Sequence, residues 1–145
     1  MDDIETFDKL KTQVLKYVLY KKRSEAEIRQ KFAQQDENML EEVIQFLKEN
    51  KYIDDESYIE KAVSEYQRLK NMSIKEIEYK LLSKGINKEN IENYIYNHEE
   101  ELLQYELNSA KNILIKKQAT MDIESILMYL RKKGYKEEII KQIEL

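Results

Sequence analysis

A complete helix with both of its end signals is encoded by Ser73-Ile74-Lys75-Glu76-Ile77-Glu78-Tyr79-Lys80-Leu81-Leu82-Ser83-Lys84-Gly85-Ile86. Ser73 and Glu76 have the spacing of a capping box, in which the side chain of each residue accepts a hydrogen bond from the backbone amide of the other. Gly85 supplies the left-handed residue that commonly ends a helix. Ile77 and Leu81 lie four residues apart and therefore share one face. The stretch predicts one amphipathic helix that begins and ends within it.

The same pattern recurs at a shift of 49 residues in both directions. The aligned columns are Ser24, Ser73 and Asp122; Ile28, Ile77 and Ile126; and Phe32, Leu81 and Leu130. Lys84-Gly85 falls on Lys133-Gly134 by the same shift. A fixed period of this size is typical of helical repeat proteins. We therefore predict an all-α fold, a tandem array of three three-helix repeats that is elongated and curved. It forms a single domain 1–145 with repeats at about 7–50, 54–97 and 99–145.

Apolar periodicity and capping residues predict about nine helices. Their approximate ranges are 7–21, 25–34, 37–49, 55–70, 73–85, 87–97, 99–117, 122–134 and 136–145. Besides Ser73, the predicted capping residues are Ser24 with Glu27, Asp54, Asn87 and Asp122. Gly134 is predicted to end the eighth helix as Gly85 ends the fifth.

The composition supports an all-α protein and disfavours enzymatic chemistry. There is no Pro and there are only two Gly, so little material exists for β-turns or hairpins. The chain has no Cys, and its one histidine, His98, makes a histidine-based metal site or catalytic triad improbable. There is also no Gly-rich phosphate-binding loop, so we expect no ATP binding. We therefore predict a protein that is not an enzyme and has no cofactor.

The overall charge is acidic. The chain has 25 Lys and Arg against 29 Asp and Glu, which gives a net charge of −4 and a pI of about 5.3. A bare phosphate backbone repels such a protein, so a nucleic-acid role needs a local basic stripe or a protein partner. We expect weak or no binding to free DNA.

The amino terminus and the hydropathy pattern bear on location. The first residues, Met1-Asp2-Asp3-Ile4-Glu5, are acidic where a signal peptide is basic. No apolar run approaches the roughly 20 residues of a membrane span. A soluble, cytoplasmic monomer without membrane contact is expected.

Four segments carry a family resemblance. They are Arg23-Ser24-x-x-Glu27-Ile28, Tyr52-Ile53-Asp54-Asp55-x-x-Tyr58, Ile77-x-x-x-Leu81-x-x-Lys84-Gly85-Ile86 and Ile126-x-x-x-Leu130-x-x-Lys133-Gly134-Tyr135. In their order and spacing the first three resemble the signature segments of the RecX family, and the fourth is similar to the family's carboxy-terminal repeat. The resemblance covers about 14–145. The resemblance implies an array of three-helix repeats that binds the RecA filament on single-stranded DNA. It also implies that the protein restrains filament growth, ATP hydrolysis, strand exchange and coprotease activity.

Clusters of cations close the first helix of each predicted repeat, at equivalent places. One interpretation is a stripe that faces the filament or DNA. The simpler one is that cations at helix C-termini complement the helix dipole, for about 0.3 to 1 kcal/mol each. Further cations lie at the ends of the fifth and eighth helices. The candidate partner-binding residues are Lys21, Lys22, Arg23, Arg68, Lys70, Lys80, Lys84, Lys116, Lys117, Arg131, Lys132 and Lys133.

Two other functions are compatible with three-helix units. One is a helical-repeat adaptor that binds proteins and has no RecA activity, and the sequence leaves it open. The other is a helix-turn-helix DNA-binding regulator, whose third helix should carry basic residues into the major groove. Here that helix begins Glu37-Asn38-Met39-Leu40-Glu41-Glu42, which phosphate would repel.

Overall fold

All regular secondary structure is α-helical over residues 3–144, the part that the computed structural model describes. The nine helices are α1 (Asp3–Tyr20), α2 (Glu25–Lys31), α3 (Glu37–Glu49), α4 (Asp55–Leu69), α5 (Ile74–Ser83), α6 (Lys88–Asn97), α7 (Glu99–Lys117), α8 (Ile123–Lys133) and α9 (Glu137–Glu144). The predicted all-α class and the predicted number of helices are confirmed for these residues. Residues 1, 2 and 145, which the predicted domain and the last predicted helix include, lie outside the described residues.

The predicted capping boxes are present at both capping serines. At α5, the Glu76 amide donates to Ser73 Oγ (3.1 Å), and the Ser73 amide donates to Glu76 Oε1 (2.9 Å). At α2, Ser24 and Glu27 make the same reciprocal pair. Each box satisfies two backbone amides that the helix leaves without partners.

The other predicted end signals are also confirmed. The side chains of Asp54, Asn87 and Asp122 accept backbone amides in the first turns of α4, α6 and α8. Gly85 and Gly134 have φ angles of 82° and 91°, the left-handed conformation that the sequence predicted for them.

Helix α2 is shorter than predicted and ends at Lys31 rather than near residue 34. At the 49-residue shift, Asp36 aligns with the glycines Gly85 and Gly134. Instead of ending α2 in a left-handed conformation, Asp36 caps α3 by accepting the Met39 amide (2.9 Å). The chain therefore leaves the helix at Phe32.

Each consecutive helix triplet surrounds a buried apolar cluster. We call α1–α3, α4–α6 and α7–α9 the first, second and third triplets. Val14, Ile59 and Ile126 are buried members of the first, second and third clusters. Helix α7 contributes to two of them, because Leu102 packs in the second cluster and Ala110 in the third. The predicted repeat boundaries stay a prediction.

The second helices of successive triplets meet end to end. Ser24 Oγ, at the start of α2, donates to the carbonyl oxygen of Lys84, at the end of α5 (3.0 Å). Ser73 Oγ, at the start of α5, donates to the carbonyl oxygen of Lys133, at the end of α8 (2.6 Å). Both serines are fully buried. We call these two contacts the joints; each satisfies a terminal carbonyl that its helix leaves free.

A carboxylate from the first helix of the next triplet completes each joint. Asp55 accepts the Glu25 amide at the start of α2 (3.3 Å). Glu106 accepts the Ile74 amide at the start of α5 (3.0 Å). Glu106 is fully buried, and its second oxygen also accepts the Lys136 amide just before α9 (3.5 Å). The same arrangement thus links the first triplet to the second and the second to the third.

Candidate protein-interaction surface

The cations at the end of α1 lie against the second triplet. Lys22 donates a hydrogen bond from Nζ to Ser57 Oγ near the start of α4, which holds the exposed end of α1 there. Lys21 and Lys22 line one groove with Lys84, from the end of α5, and with Lys61 of α4. The structure therefore brings together two sequence clusters that are about 60 residues apart.

Cations on α4 and at its end extend the basic surface. Lys61, Arg68 and Lys70 line a second groove, which shares Lys61 and Glu65 with the first. Lys61, Glu65 and Arg68 are spaced by four and three residues, so they lie on one exposed face of α4. We call the continuous surface formed by Lys21, Lys22, Lys84, Lys61, Arg68 and Lys70 the basic track.

Contacts at the end of α4 connect the basic track to α7. Lys70 has a left-handed backbone conformation, and its carbonyl oxygen accepts a hydrogen bond from Asn112 Nδ2 (3.0 Å). Lys116 follows Asn112 by four residues, one helical turn farther along α7. Lys116 is exposed and Lys117 is half-buried. The ends of α1, α4 and α7 therefore follow one another across the surface.

Two carboxylates, those of Glu27 and Glu65, also line the first groove. Glu27 is engaged inside the chain, since its side chain accepts the Ser24 amide (3.0 Å) and interacts with the Tyr58 hydroxyl. Burial, together with the nearby Glu27 carboxylate, raises the pKa of Tyr58, so this hydroxyl keeps its proton. The basic track thus has more cations than carboxylates, although the whole chain is acidic.

Several of the other predicted cations make contacts within the chain. Arg23 stacks on the ring of Tyr17 at 4.0 Å from its centroid. Arg131 pairs with Glu137 (2.6 Å). Lys133 lies 3.5 Å from Glu76, across the joint between α8 and α5. Lys132 is exposed on α8, away from the grooves that define the basic track.

Lys80 and Lys117 belong to a cation–π contact that recurs in all three triplets and ties the first helix to the second. Lys31 lies over Tyr17 (5.8 Å) and Lys80 over Tyr66 (5.6 Å), at positions 49 residues apart. In the third triplet, α7 supplies the cation and α8 the ring, because Lys117 lies over Tyr129 (4.4 Å). Such contacts contribute about 0.5 to 1 kcal/mol at exposed sites. These two lysines therefore have a structural role.

Sequence reasoning missed Lys61, the residue that makes the basic track continuous. The available signal was its spacing on the exposed face of α4, four residues from Glu65 and seven from Arg68. Isolated cations on a charged helix face are common, so this spacing alone did not distinguish Lys61.

The described part of the chain shows neither a metal-binding cluster nor a membrane-spanning helix. Residues 3–144 contain no cluster of His, Cys, Asp or Glu side chains arranged to hold a metal ion. His98 stacks on the ring of Tyr94 at 4.0 Å, and its Nδ1 contacts the Tyr94 carbonyl oxygen (2.8 Å). None of the helices in this range has the length and apolar character needed to cross a membrane.

Comparison with known proteins identifies RecX proteins as relatives. No protein-family model matches the chain. It is 29% identical to the regulatory protein RecX of Clostridium beijerinckii, over 96% of this chain and 68% of that protein. It is also 29% identical to the regulatory protein RecX of Staphylococcus carnosus, over 98% of this chain and 56% of that protein. The chain therefore spans only part of the length of these relatives.

The fold has a match of comparable length. The crystal structure of RecX from Lactobacillus salivarius superimposes with a TM-score of 0.80, over 97% of this chain and 95% of that one, at 23% sequence identity. This likeness shows the fold. The resemblance predicted from the four sequence segments is confirmed by the similarity in sequence and in fold.

Proposed function

We propose that this chain, which is RecX-like in sequence and in fold, is a non-enzymatic regulator of RecA. It binds along the RecA filament on single-stranded DNA and restrains filament growth, ATP hydrolysis, strand exchange and coprotease activity. The observation that carries this proposal is the similarity, over nearly the whole chain, to proteins named regulatory protein RecX. Cytoplasmic location and a monomeric state are part of the proposal.

The basic track supports a contact with the protein of the filament rather than with its DNA. Its cations are spread over α1, α4 and the end of α5, so a partner must span at least two triplets to meet them all. A charge of −4 over the whole chain disfavours tight binding to a bare phosphate backbone. We therefore assign the track to the protein of the filament and expect poor affinity for free DNA.

Titration of the chain into RecA, single-stranded DNA and ATP tests the regulatory role. ATP hydrolysis and filament assembly should both decrease at amounts stoichiometric with RecA. Hydrolysis is followed by a coupled assay and assembly by electron microscopy. No change in either would refute the proposed function. Tight binding to a bare oligonucleotide that weakens steeply with salt would instead indicate direct DNA recognition.

Charge reversal tests whether the track makes the contact. Lys61→Glu, Arg68→Glu and Lys70→Glu together should weaken filament binding at least about tenfold, because the reversed charges slow association and face like charges on the partner. The matched control reverses three exposed cations elsewhere, Lys9, Lys88 and Lys141, and so gives the same net charge. The control should bind within about twofold of the wild type. Equal binding by both variants, with intact helicity, would show that the track does not contact the filament, and would leave Arg68 and Lys70 with a helix-dipole role only.

A further inference from the structure

Each first helix also ends with an exposed, large apolar side chain beside its cations. Tyr20 is 85% exposed at the end of α1, Leu69 is 61% exposed at the end of α4, and Ile115 is 66% exposed near the end of α7. The neighbouring cations are Lys21 and Lys22, Arg68 and Lys70, and Lys116 and Lys117. We call these three places the apolar–basic ends.

The interior of the fold does not account for these apolar side chains. None of the three belongs to a buried cluster or packs against one. Single exposed apolar residues are ordinary on protein surfaces. Here, however, an exposed apolar side chain recurs next to cations on all three first helices, and Tyr20 and Leu69 lie 49 residues apart in the same register column.

Contacts within the chain place the apolar–basic ends next to one another, in the order α1, α4 and α7. The end of α1 is held at the start of α4 by the hydrogen bond from Lys22 to Ser57. The end of α4 is held on α7 by the hydrogen bond from Asn112 to the Lys70 carbonyl oxygen. The basic track ends at Lys70, where Asn112 of α7 makes its contact, so the three apolar–basic ends follow one another from α1 to α4 to α7.

The combination of apolar and basic groups defines the chemistry of the partner. A phosphate backbone attracts the cations but gains nothing from Leu69 or Ile115. Protein interfaces use such groups together, with aromatic and aliphatic side chains desolvated at the centre and charges at the rim. Because the apolar–basic ends recur once per triplet, the matching features on the partner should recur too.

We infer that the apolar–basic ends form one docking surface for a protein that presents repeated apolar patches bordered by carboxylates. This inference rests on the proposed function in one respect: a RecA filament is the repeating protein partner to which it is applied. It adds that the apolar side chains, and not only the cations, contribute to the affinity. That part of the affinity should vary little with salt, because salt screens charges but does not weaken apolar burial.

Substitution of the apolar side chains alone tests the inference. The test variant combines Tyr20→Ser, Leu69→Ser and Ile115→Ser and keeps every cation. The control variant changes three other exposed side chains, with Tyr79→Ser, Tyr96→Ser and Met128→Ser. Both should keep the wild-type circular dichroism spectrum, since the substituted side chains are exposed.

Two probes are used, so that the surface is tested separately from the RecA assignment. The first is the RecA filament on single-stranded DNA. The second is a pair of synthetic polymers, poly-glutamate and a glutamate–tyrosine copolymer, which differ in apolar content. The wild type should bind the copolymer more tightly than poly-glutamate. The test variant should lose this preference and bind the filament at least about tenfold more weakly, whereas the control variant stays within about twofold.

The outcomes distinguish the two proposals. Equal binding of the wild type and the test variant to both the filament and the copolymer would overturn the docking surface, whether or not the wild type regulates RecA. If the wild type does not bind the filament but its copolymer preference depends on the apolar residues, the RecA assignment fails and the docking surface stands. Binding to a bare oligonucleotide that is weakened as much as filament binding would assign the surface to nucleic acid and also overturn the inference.

Discussion

Replacing Gly85 by Ala should destabilise the joint between α5 and α2 through two separate effects. The residue has a φ of 82°, a left-handed conformation that costs an L-residue about 1 to 2 kcal/mol. A Cβ atom at this position would also lie 2.3 Å from Ala26 Cβ on α2, so one of the two helices must shift. Overpacking of this kind costs about 1 to 3 kcal/mol. The expected loss is therefore about 2 to 5 kcal/mol of unfolding free energy.

Gly134 provides the matched control, because it occupies the equivalent place at the other joint. Its φ of 91° carries the same backbone strain. The nearest atom to an added Cβ is Lys75 Cβ at 3.0 Å, a contact that a shift of a few tenths of an ångström can relieve. Gly134→Ala should therefore cost about 1 to 2 kcal/mol, close to the backbone strain alone. The clash with Ala26 accounts for the difference between the two variants.

A double-mutant cycle measured by urea unfolding isolates that clash. Ala26→Gly alone should cost about 0.5 to 1 kcal/mol, because glycine weakens a helix. Combined with Gly85→Ala, it should restore about 1 to 3 kcal/mol relative to the sum of the single changes, since it removes the colliding atom. Combined with Gly134→Ala, the effects should add within about 0.5 kcal/mol. Equal costs for the two glycine variants, with no coupling to Ala26, would refute the geometry of the joint.

Two further predictions concern the polar groups at the joint between α8 and α5. Ser73→Ala should cost about 2 to 4 kcal/mol, because it removes the α5 cap and also leaves the Lys133 carbonyl oxygen without the donor from the buried serine. Asp122→Ala, which removes only a cap, should cost about 1 kcal/mol in the same urea titration, and equal costs would show that the joint hydrogen bond contributes nothing. Burial raises the pKa of the Glu106 carboxyl above its ordinary value of 4.5, against the opposing effect of two backbone amides. The stabilisation linked to its proton is thus present below pH 4.5 and lost as the pH rises through the raised pKa. Glu106→Gln cannot titrate, so it should flatten that part of the plot of unfolding free energy against pH. Parallel plots for the variant and the wild type would contradict this assignment.

Most ends of the helices could be predicted from sequence because the interactions that set them are local, although α1 begins at Asp3 rather than near residue 7. A capping box such as Ser73 with Glu76 lies within four residues, and a left-handed glycine such as Gly85 acts at its own position. The premature end of α2 follows the same logic, since Asp36 replaces the glycine and caps the next helix instead. The 49-residue repeat predicted helix ends because it repeats these local capping signals.

The joints could not be predicted in this way. Each joins a serine to a carbonyl oxygen 60 residues away, and no helical period relates two such positions. Glu106 illustrates the same limit. It lies on the buried stripe of α7 with Leu102 and Ala110, a position where an apolar residue is expected. Only the packing of α5 and α9 against this stripe shows that its carboxylate accepts backbone amides from both.

The candidate site was predicted in part, because sequence indicates which cations are exposed at helix ends but not which of them come together. Lys21 and Lys84 were assigned to separate clusters, yet they line one groove with Lys61. Arg131 and Lys133 were candidates on the same grounds as Lys84, but they pair with Glu137 and Glu76. The distinction depends on which acidic side chains the tertiary fold places nearby.

Lys84 links the stability of the fold to the shape of the candidate surface. Its carbonyl oxygen accepts the joint hydrogen bond from Ser24, and its side chain lines the groove of the basic track. A change that opens this joint therefore also moves a cation of the track relative to Lys21 and Lys22. Loss of partner binding in a Ser24 or Gly85 variant consequently cannot identify a contact residue. Only changes at exposed side chains that make no joint contact, such as Lys61 or Leu69, separate recognition from the geometry that positions it.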